Sequence, residues 1–402
     1  MSSANKPVVV VVGGGYSGVL AANRICGRAG DSARVIMIAP GDSLTDRIRL
    51  HEVAARGGDA RKRYATLLAR GVEHVSARVT GFDPASRQVH FVRDGQSESI
   101  AYTALVLALG SQFSSSTPST HPHAHALCDV EHAQRLAKAL RELSAGERVI
   151  VVGGGLTAIE LSAELADAHP HLSVELIASE FAAGLAGPAR DALRAGVGAL
   201  GVQLREGVAV SSIEAAGVTL ADGAQLQAPI CVLAAGMVAA PLGPGFPLAT
   251  RPDGRIAVDE QLRAPGLPDV FVVGDLAAPP SAAIGNATAT TRMACATAMP
   301  MGAHAADQVV RLLQARPLAP YRFGYALQCI SLGRNNALVA FVDRDDRPTG
   351  SIVQGRPAAL VKEAICRFVI GGLRLERWLA GVYTWPRPPR SRSLNSPSQL
   401  SA

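Results

Sequence analysis

Short aliphatic runs that end in glycine alternate with longer stretches of mixed polarity, and this rhythm organises the chain. Pro7–Val12 is a run of β-branched residues after one proline, and it feeds Gly13-Gly-Gly-Tyr-Ser-Gly18 and then a helical pattern from Val19. Strand, glycine turn and helix in that order predict one βα unit of a parallel sheet. Ala33–Ala39 reads as its second strand and Tyr102–Gly110 as a further buried strand, with charged Asp46–His51 opening a helical stretch between them. Val72–Phe91 reads as short strands with turns at Gly81 and Pro84. Residues Ser114–His125, rich in Ser, Thr, Pro and His, read as an exposed linker.

The opening pattern then recurs. Arg148–Val152 leads into Gly153-Gly-Gly-Leu-Thr-Ala158 and a helix that begins near Ile159. Ser173–Ala178 (strand), Pro188–Gly201 (helix) and a strand ending in Cys231–Gly236 complete this second unit. Pro268–Asp275 reads as a strand that ends in Gly274-Asp275, and Thr297–Leu313 as a helix with Thr297 as N-cap and Pro300 in its first turn. Strands at Ala337–Val342 and Ser351–Gln354, a helix from about Pro357, and a Pro/Arg/Ser tail follow.

The glycines carry the chemistry. In Gly13-x-Gly15-x-x-Gly18 the first permits the turn, the second lets a pyrophosphate approach the backbone, and the third lets helix and strand pack closely. The helix N-terminus beyond offers free N–H groups and partial positive charge to phosphate. Such turns also occur without a ligand, but here strand and helix flank the motif on both occasions. Neither following strand ends in the carboxylate that usually binds an adenosine ribose. The first ends in Ala39 before Pro40-Gly41-Asp42, the second in Ala178-Ser179-Glu180.

Composition narrows the function. A chain of 402 residues, 48% hydrophobic and 18% charged, is globular and has room for two or three domains. Aromatics at 4% leave little for a nucleic-acid stacking platform. The net charge of +6 suits phosphorylated cofactors or an anionic membrane as well as an ordinary soluble surface. The cysteines (Cys26, Cys128, Cys231, Cys295, Cys329, Cys366) form no CxxC, which argues against a zinc site, an iron–sulfur cluster or a redox-active disulfide. His121, His123 and His125 alternate without a carboxylate cluster nearby, so no metal site is expected. Val8–Val12 is too short for a signal peptide, and no long uncharged apolar run is present. The expected compartment is the cytoplasm.

With these segments in order, residues 7–355 resemble the two-dinucleotide-domain flavoproteins. That family includes type II NADH dehydrogenases, apoptosis-inducing-factor-like oxidoreductases and pyridine-nucleotide disulfide reductases. The resemblance implies an α/β fold with two Rossmann-like domains and a small C-terminal α+β domain. Residues 1–120 with 250–320 would bind FAD, 121–249 would bind NADH or NADPH, 321–385 would form the C-terminal domain, and 386–402 a disordered tail. It also implies FAD contacts from Gly13, Gly15, Tyr16, Ser17, Gly18, Arg49, Val79, Ala108, Gly110, Gly274, Asp275 and Met299, with Asp275 on the ribityl or pyrophosphate portion. NAD(P)H contacts would come from Gly153, Gly155, Leu156, Thr157, Glu180 and Gly236. A helix N-terminus around Ala298–Met301, with Pro300, would stabilise charge on reduced flavin.

Several assignments stay open at this stage. Glu160 either complements the helix dipole or positions the nicotinamide amide beside the flavin. Arg47, Arg49 and His51 either start a solvated helix or meet the flavin or an anionic acceptor. Disulfide reductases carry two cysteines in the region of Thr45–Val53, which here has none, and the quinone-binding glutamines of type II NADH dehydrogenases are missing from Cys295–Met301. The acceptor is therefore unassigned among quinones, small redox proteins and small molecules. The alternatives are a membrane-surface NADH:quinone oxidoreductase and a slow-turnover redox sensor. Trp378 and Trp385 among the arginines of the tail suggest either contact with the inner face of a membrane or a packed terminal helix. A homodimer stays open.

Overall fold

The computed structural model describes residues 6–113, 123–185, 187–234, 236–284 and 291–387. Val8–Val12 is the central strand of a five-stranded parallel sheet in the order Val270–Val272, Ala104–Leu107, Val8–Val12, Arg34–Ala39, Val72–Ser76. Both faces of such a strand are covered, which is why its sequence is continuous valine and does not alternate. Helix Tyr16–Ala29 leaves the glycine turn, and the late helix Cys295–Leu313 packs against it. Their crossing requires Gly302, where a Cβ would lie 2.4 Å from the Ser17 carbonyl oxygen.

The second unit repeats this plan. Its parallel sheet runs Ala124–Ala126, Ile230–Leu233, Arg148–Val152, Ser173–Ala178, Gln203–Glu206, with helix Leu156–Ala168 after the second glycine turn. The class is α/β with two Rossmann-like sheets, as the sequence pattern implies.

Three local expectations are corrected. Ala124 and His125, read as the end of an exposed linker, belong to edge strand Ala124–Ala126, paired with Cys231–Leu233, so sheet pairing overrides a loop-like composition there. His125 lies in this strand; His121 and the rest of 114–122 lie outside the described residues. Gly81 is not a turn: it pairs with His90 inside strand Arg78–Asp83, directly after a bulge at Thr80, and a Cβ on it would lie 2.1 Å from the Gly245 carbonyl oxygen. The turn is made beyond Asp83, whose carboxylate accepts from the Ala85 N–H and the Ser86 hydroxyl. The late helix begins at Cys295 with Ala294 as N-cap, not at Thr297. The Thr297 hydroxyl is instead bonded to the Tyr325 hydroxyl at 3.1 Å, and Pro300 falls in the second turn, where it takes a donor from the helix.

The C-terminal segment joins both halves. Leu327–Ser331, Ala337–Val342 and Pro348–Gln354 form an antiparallel sheet, and Ile330, Leu332, Leu338 and Ala340 enter the core of the second unit. Helix Arg356–Trp378 instead sends Val369, Ile370 and Leu373 into the first core. Arg24, 2% exposed, closes this joint. Its guanidinium donates to Asp307 at 2.7 Å, to Glu376 at 3.2 Å and to the Tyr383 carbonyl at 2.9 Å. Trp385 is not part of a free tail: it is 8% exposed and its Nε1 donates to the Arg322 carbonyl at 2.9 Å. Trp378 is 71% exposed, and residues from 388 lie outside the described set.

His304 is buried on the late helix with an unpartnered Nε2. Burial pushes its pKa down to about 4, with Asp307 opposing and Arg387 and Arg24 reinforcing. Because the unfolded chain takes up this proton near pH 6.5, stability drops as pH falls from there toward 4. The expected contribution of this histidine is therefore a thermal midpoint about 2 °C lower at pH 5 than at pH 7. In His304→Gln this histidine's contribution should vanish and the curve should flatten; an unchanged slope would assign it to other groups.

Candidate active site

Each glycine of the first loop meets a different surface. Gly13 has φ +109°, and a Cβ there would lie 2.2 Å from the Ala108 carbonyl oxygen. At Gly18 it would lie 2.0 Å from the Gly13 carbonyl oxygen. Gly14 is also obligatory, since a Cβ would lie 1.8 Å from the Tyr64 hydroxyl, which donates to the Gly14 carbonyl. Only Gly15 faces open space, with no protein atom within 4 Å of its Cβ position. The second loop repeats this layout: at Gly153 and Gly154 a Cβ would meet the Ala234 and Glu180 carbonyls, whereas Gly155 is open. Open space directly before a helix N-terminus is what a pyrophosphate needs, so both loops fit a dinucleotide.

Asp275 lies beside the first loop, at the end of strand Val270–Val272. At Gly274, φ +73°, a Cβ would lie 2.9 Å from the Ser17 Oγ. The Asp275 carboxylate accepts from the Ser111 hydroxyl at 2.5 Å, and Arg47 donates to the same hydroxyl at 3.3 Å. Burial raises the Asp275 pKa, while Ser111, Arg47 and Arg255 pull it down. Arg255 is itself buried and donates to Thr291. Tyr16 donates to Asp46 Oδ1 at 2.7 Å, and burial together with that carboxylate holds the phenol well above its ordinary range.

Glu160 sits in the second helix, 160 following directly on the buried Ala158 and Ile159, and has a partner that sequence spacing did not point to. Its Oε1 accepts from Lys362 Nζ at 2.6 Å and from the Ser331 N–H at 2.9 Å. Burial works against ionisation, but Lys362 and His51 outweigh it and hold the carboxyl below its usual range. Burial lowers the His51 pKa although Glu160 opposes this. Lys362 also donates to the Cys329 carbonyl at 3.2 Å. The pair ties the second unit to the terminal helix.

The other anticipated residues are distributed around these groups. Val79 lies beside the bulge, Ala108 against Gly13, and Gly110 (φ +73°) accepts from the Ala240 N–H. Ser17 is buried under Gly274, while Leu156 and Thr157 open the second helix and Glu180 follows the adjacent strand. Gly236 has φ +86° just past strand Ile230–Leu233. Arg49 is held by Glu52 at 2.6 Å and Glu363 at 2.7 Å, and the Met299 side chain reaches Gly372 of the terminal helix. Ser111, Ser331, Lys362 and Gly302 were not singled out from the sequence; each acts through a partner distant along the chain. All six cysteines are free thiols, and burial raises the pKa of Cys295, Cys329 and Cys366. Among the described residues, no group of three or more His, Cys, Asp or Glu side chains could hold a metal ion. No helix among them is long and apolar enough to cross a membrane.

Comparison with known proteins adds independent findings. The family model of the pyridine nucleotide-disulphide oxidoreductases matches residues 7–305. An NADH dehydrogenase-like protein of Mycobacterium tuberculosis is 31% identical, covering 89% of this chain and 92% of its own. The type II NADH:quinone oxidoreductase of Staphylococcus saprophyticus is 26% identical, covering 92% and 98%. Among solved structures, the sulfide:quinone oxidoreductase of Aquifex aeolicus superposes with a TM-score of 0.77 at 18% identity, covering 92% of each chain.

Proposed function

The chain belongs to the pyridine nucleotide-disulphide oxidoreductase family and is an NAD(P)H-dependent oxidoreductase; on that premise we propose that it holds FAD at Gly13–Gly18 and NADH or NADPH at Gly153–Thr157. Electrons would pass to a separate acceptor without a cysteine pair. The observation that supports this best is the matched openness of Gly15 and Gly155, each beside glycines that the fold itself fills. When bound, the flavin takes hydride from the nicotinamide and releases the electrons onward. Overall, NAD(P)H, a proton and the oxidised acceptor give NAD(P)⁺ and the acceptor reduced by two electrons.

The chain's part is to bind, orient and balance charge. Asp275, oriented by Ser111 and Arg47, would accept hydrogen bonds from the ribityl or pyrophosphate portion of FAD. Val79, Ala108 and Gly110 would supply backbone contacts, and Tyr16 would keep Asp46 engaged beside the loop. The N-terminus of Cys295–Leu313, with Met299 and Pro300 in the following turn, would stabilise negative charge on the reduced ring. In the second unit Leu156, Thr157, Glu180 and Gly236 would flank the nucleotide. Lys362 and Ser331 both occupy Glu160 Oε1, and Oε2 would be offered to the nicotinamide carboxamide.

The expected purified protein is yellow, with about one FAD per chain. Anaerobic mixing with NADH and with NADPH, followed at the long-wavelength flavin band, tests the reading and ranks the two nucleotides. A folded protein without flavin, or flavin that neither nucleotide reduces, would sink it.

A second reading, a quinone reductase working at a membrane surface, is favoured by one observation. Val361, Phe368 and Leu375 recur every two turns on the terminal helix and are all exposed, with Trp378 and Leu379 at its end. Arg367, Arg374 and Arg377 accompany them. Such a surface fits the headgroup region of an anionic bilayer. Phe368→Ser with Trp378→Ser is expected to lower binding to phosphatidylglycerol vesicles about 30-fold or more, since each buried aromatic contributes on the order of 1 kcal/mol or more; cosedimentation equal to wild type would remove this reading.

A further inference from the structure

A cavity of about 560 Å³ lies between helix Leu50–Arg56 and the terminal helix. Its inner wall includes Asp46, the carboxylate to which Tyr16 of the first phosphate helix donates. This wall is therefore one hydrogen bond from Tyr16 of the loop assigned to FAD. Six cations line it: Arg49, Arg56, Lys62, Arg334, Arg367 and Arg374.

Four of these are already matched by carboxylates. Arg49 meets Glu52 and Glu363, Arg56 meets Glu164 and Asp167, Arg334 meets Glu52 and Glu164, and Arg367 meets Glu363. Lys62 and Arg374 have no ion pair among the described residues. They come from two of the elements that wall the cavity, strand Arg61–Arg63 and the terminal helix. Three carboxylates, Asp46, Glu52 and Asp59, also line the cavity, half as many as the cations; burial raises the Asp46 pKa, while Tyr16, Lys62 and Arg49 pull it down. Apolar lining is confined to Val53, Ala60, Cys366 and Ile370, too little to sheathe a long neutral hydrocarbon. The volume suits a small organic molecule.

We propose that this cleft binds a water-soluble organic anion of the aromatic two-electron-acceptor class, with its anionic group between Lys62 and Arg374. It is the acceptor of the reaction proposed above, and in that respect the inference rests on the FAD reading. The acceptor gains two electrons from the reduced flavin, one proton from NAD(P)H oxidation and one from solvent, and the flavin returns to its oxidised form. Charge complementarity here selects the acceptor and draws it in.

Binding is tested without turnover by calorimetry with naphthalene-1-sulfonate, which is redox-inert, against neutral 1-naphthol. The sulfonate is expected to bind at least 10-fold more tightly than the naphthol to the flavin-loaded protein, with an affinity that falls as salt rises. Lys62→Ala with Arg374→Ala is expected to weaken sulfonate binding about 10-fold, and Lys62→Arg with Arg374→Lys to restore it; flavin content and circular dichroism check folding. Turnover with 1,2-naphthoquinone-4-sulfonate should show the same rise in KM. Equal binding of sulfonate and naphthol, or an Ala pair that binds sulfonate like wild type, would overturn the proposal. Displacement of the probe by phosphatidylglycerol vesicles but not by excess free naphthoquinone sulfonate would overturn it too, by giving the cleft to a lipid headgroup. Flavin reduction by NADH in the unaltered protein reads the FAD assignment separately, so failure of either is visible without the other.

Discussion

Gly15→Val is expected to fold and to carry roughly a tenth of the wild-type flavin or less, because only the ligand's approach is blocked. Gly15 has φ −76° and ψ −173°, a conformation valine adopts freely, and its Cβ would touch no protein atom. The neighbouring glycines make poor tests. Substitution at Gly13 or Gly18 drives a side chain to within 2.2 Å or 2.0 Å of a backbone oxygen, so flavin loss there would only report a damaged fold. Gly155 offers the matched control with φ −79° and ψ 172°. Gly155→Val should keep the flavin and its reduction by dithionite, and lose reduction by NAD(P)H. Flavin absorbance after gel filtration, beside the circular dichroism spectrum, measures both. Stoichiometric flavin in Gly15→Val would refute the assignment of the first loop, and flavin loss confined to Gly155→Val would exchange the two loops.

Glu160→Gln should slow flavin reduction by NAD(P)H about 10-fold, equivalent to about 1.4 kcal/mol in the barrier. Glutamine keeps an oxygen for the Ser331 N–H and for Lys362 but loses the charge that balances the ammonium. An uncompensated Lys362 cation, only 17% exposed, would then face the proposed nicotinamide site. It disfavours the positive charge that develops on the nicotinamide ring as hydride leaves. Lys362→Met makes the complementary change: the carboxylate remains on the Ser331 N–H, freed from its main cation, and its pKa should rise. Rapid mixing across pH 5 to 8 is expected to show a flat reduction rate in wild type and a decline toward acid in Lys362→Met. Flavin content should not change in either variant. An unaltered rate in Glu160→Gln would reduce the residue to a structural tie between the second unit and the terminal helix.

How much of this was legible beforehand follows the range of each interaction. The glycine loops and the Gly274-Asp275 strand end announce themselves because strand, turn and helix lie within about 20 residues. Glu160 and Lys362 are 202 positions apart, and Ser111 and Asp275 are 164 apart, so neither pair leaves a local pattern. The start of the late helix was misplaced because Thr297 has cap chemistry, yet Tyr325 claims its hydroxyl. Trp385 looked like a member of an arginine-rich tail until the Arg322 carbonyl and the clamp at Arg24 drew that segment into the first core. Composition has no means of expressing such returns of the chain.

That return has a consequence for biosynthesis. Arg24 leaves the ribosome with the first phosphate helix, but Glu376 and the Tyr383 carbonyl are made more than 350 residues later. Gly27 waits equally long for Ala380, which packs so close that a Cβ on the glycine would lie 2.4 Å from the alanine's own. The second unit, contiguous from Ala124 to Leu233, has all its strands available well before then. The first is left with a guanidinium short of two acceptors and an open flank of aliphatic side chains until residues 369–383 have been made. A nascent chain stalled before residue 376 thus presents a finished nucleotide fold beside a sticky, incomplete one, the kind of intermediate that holdase chaperones and quality-control proteases recognise.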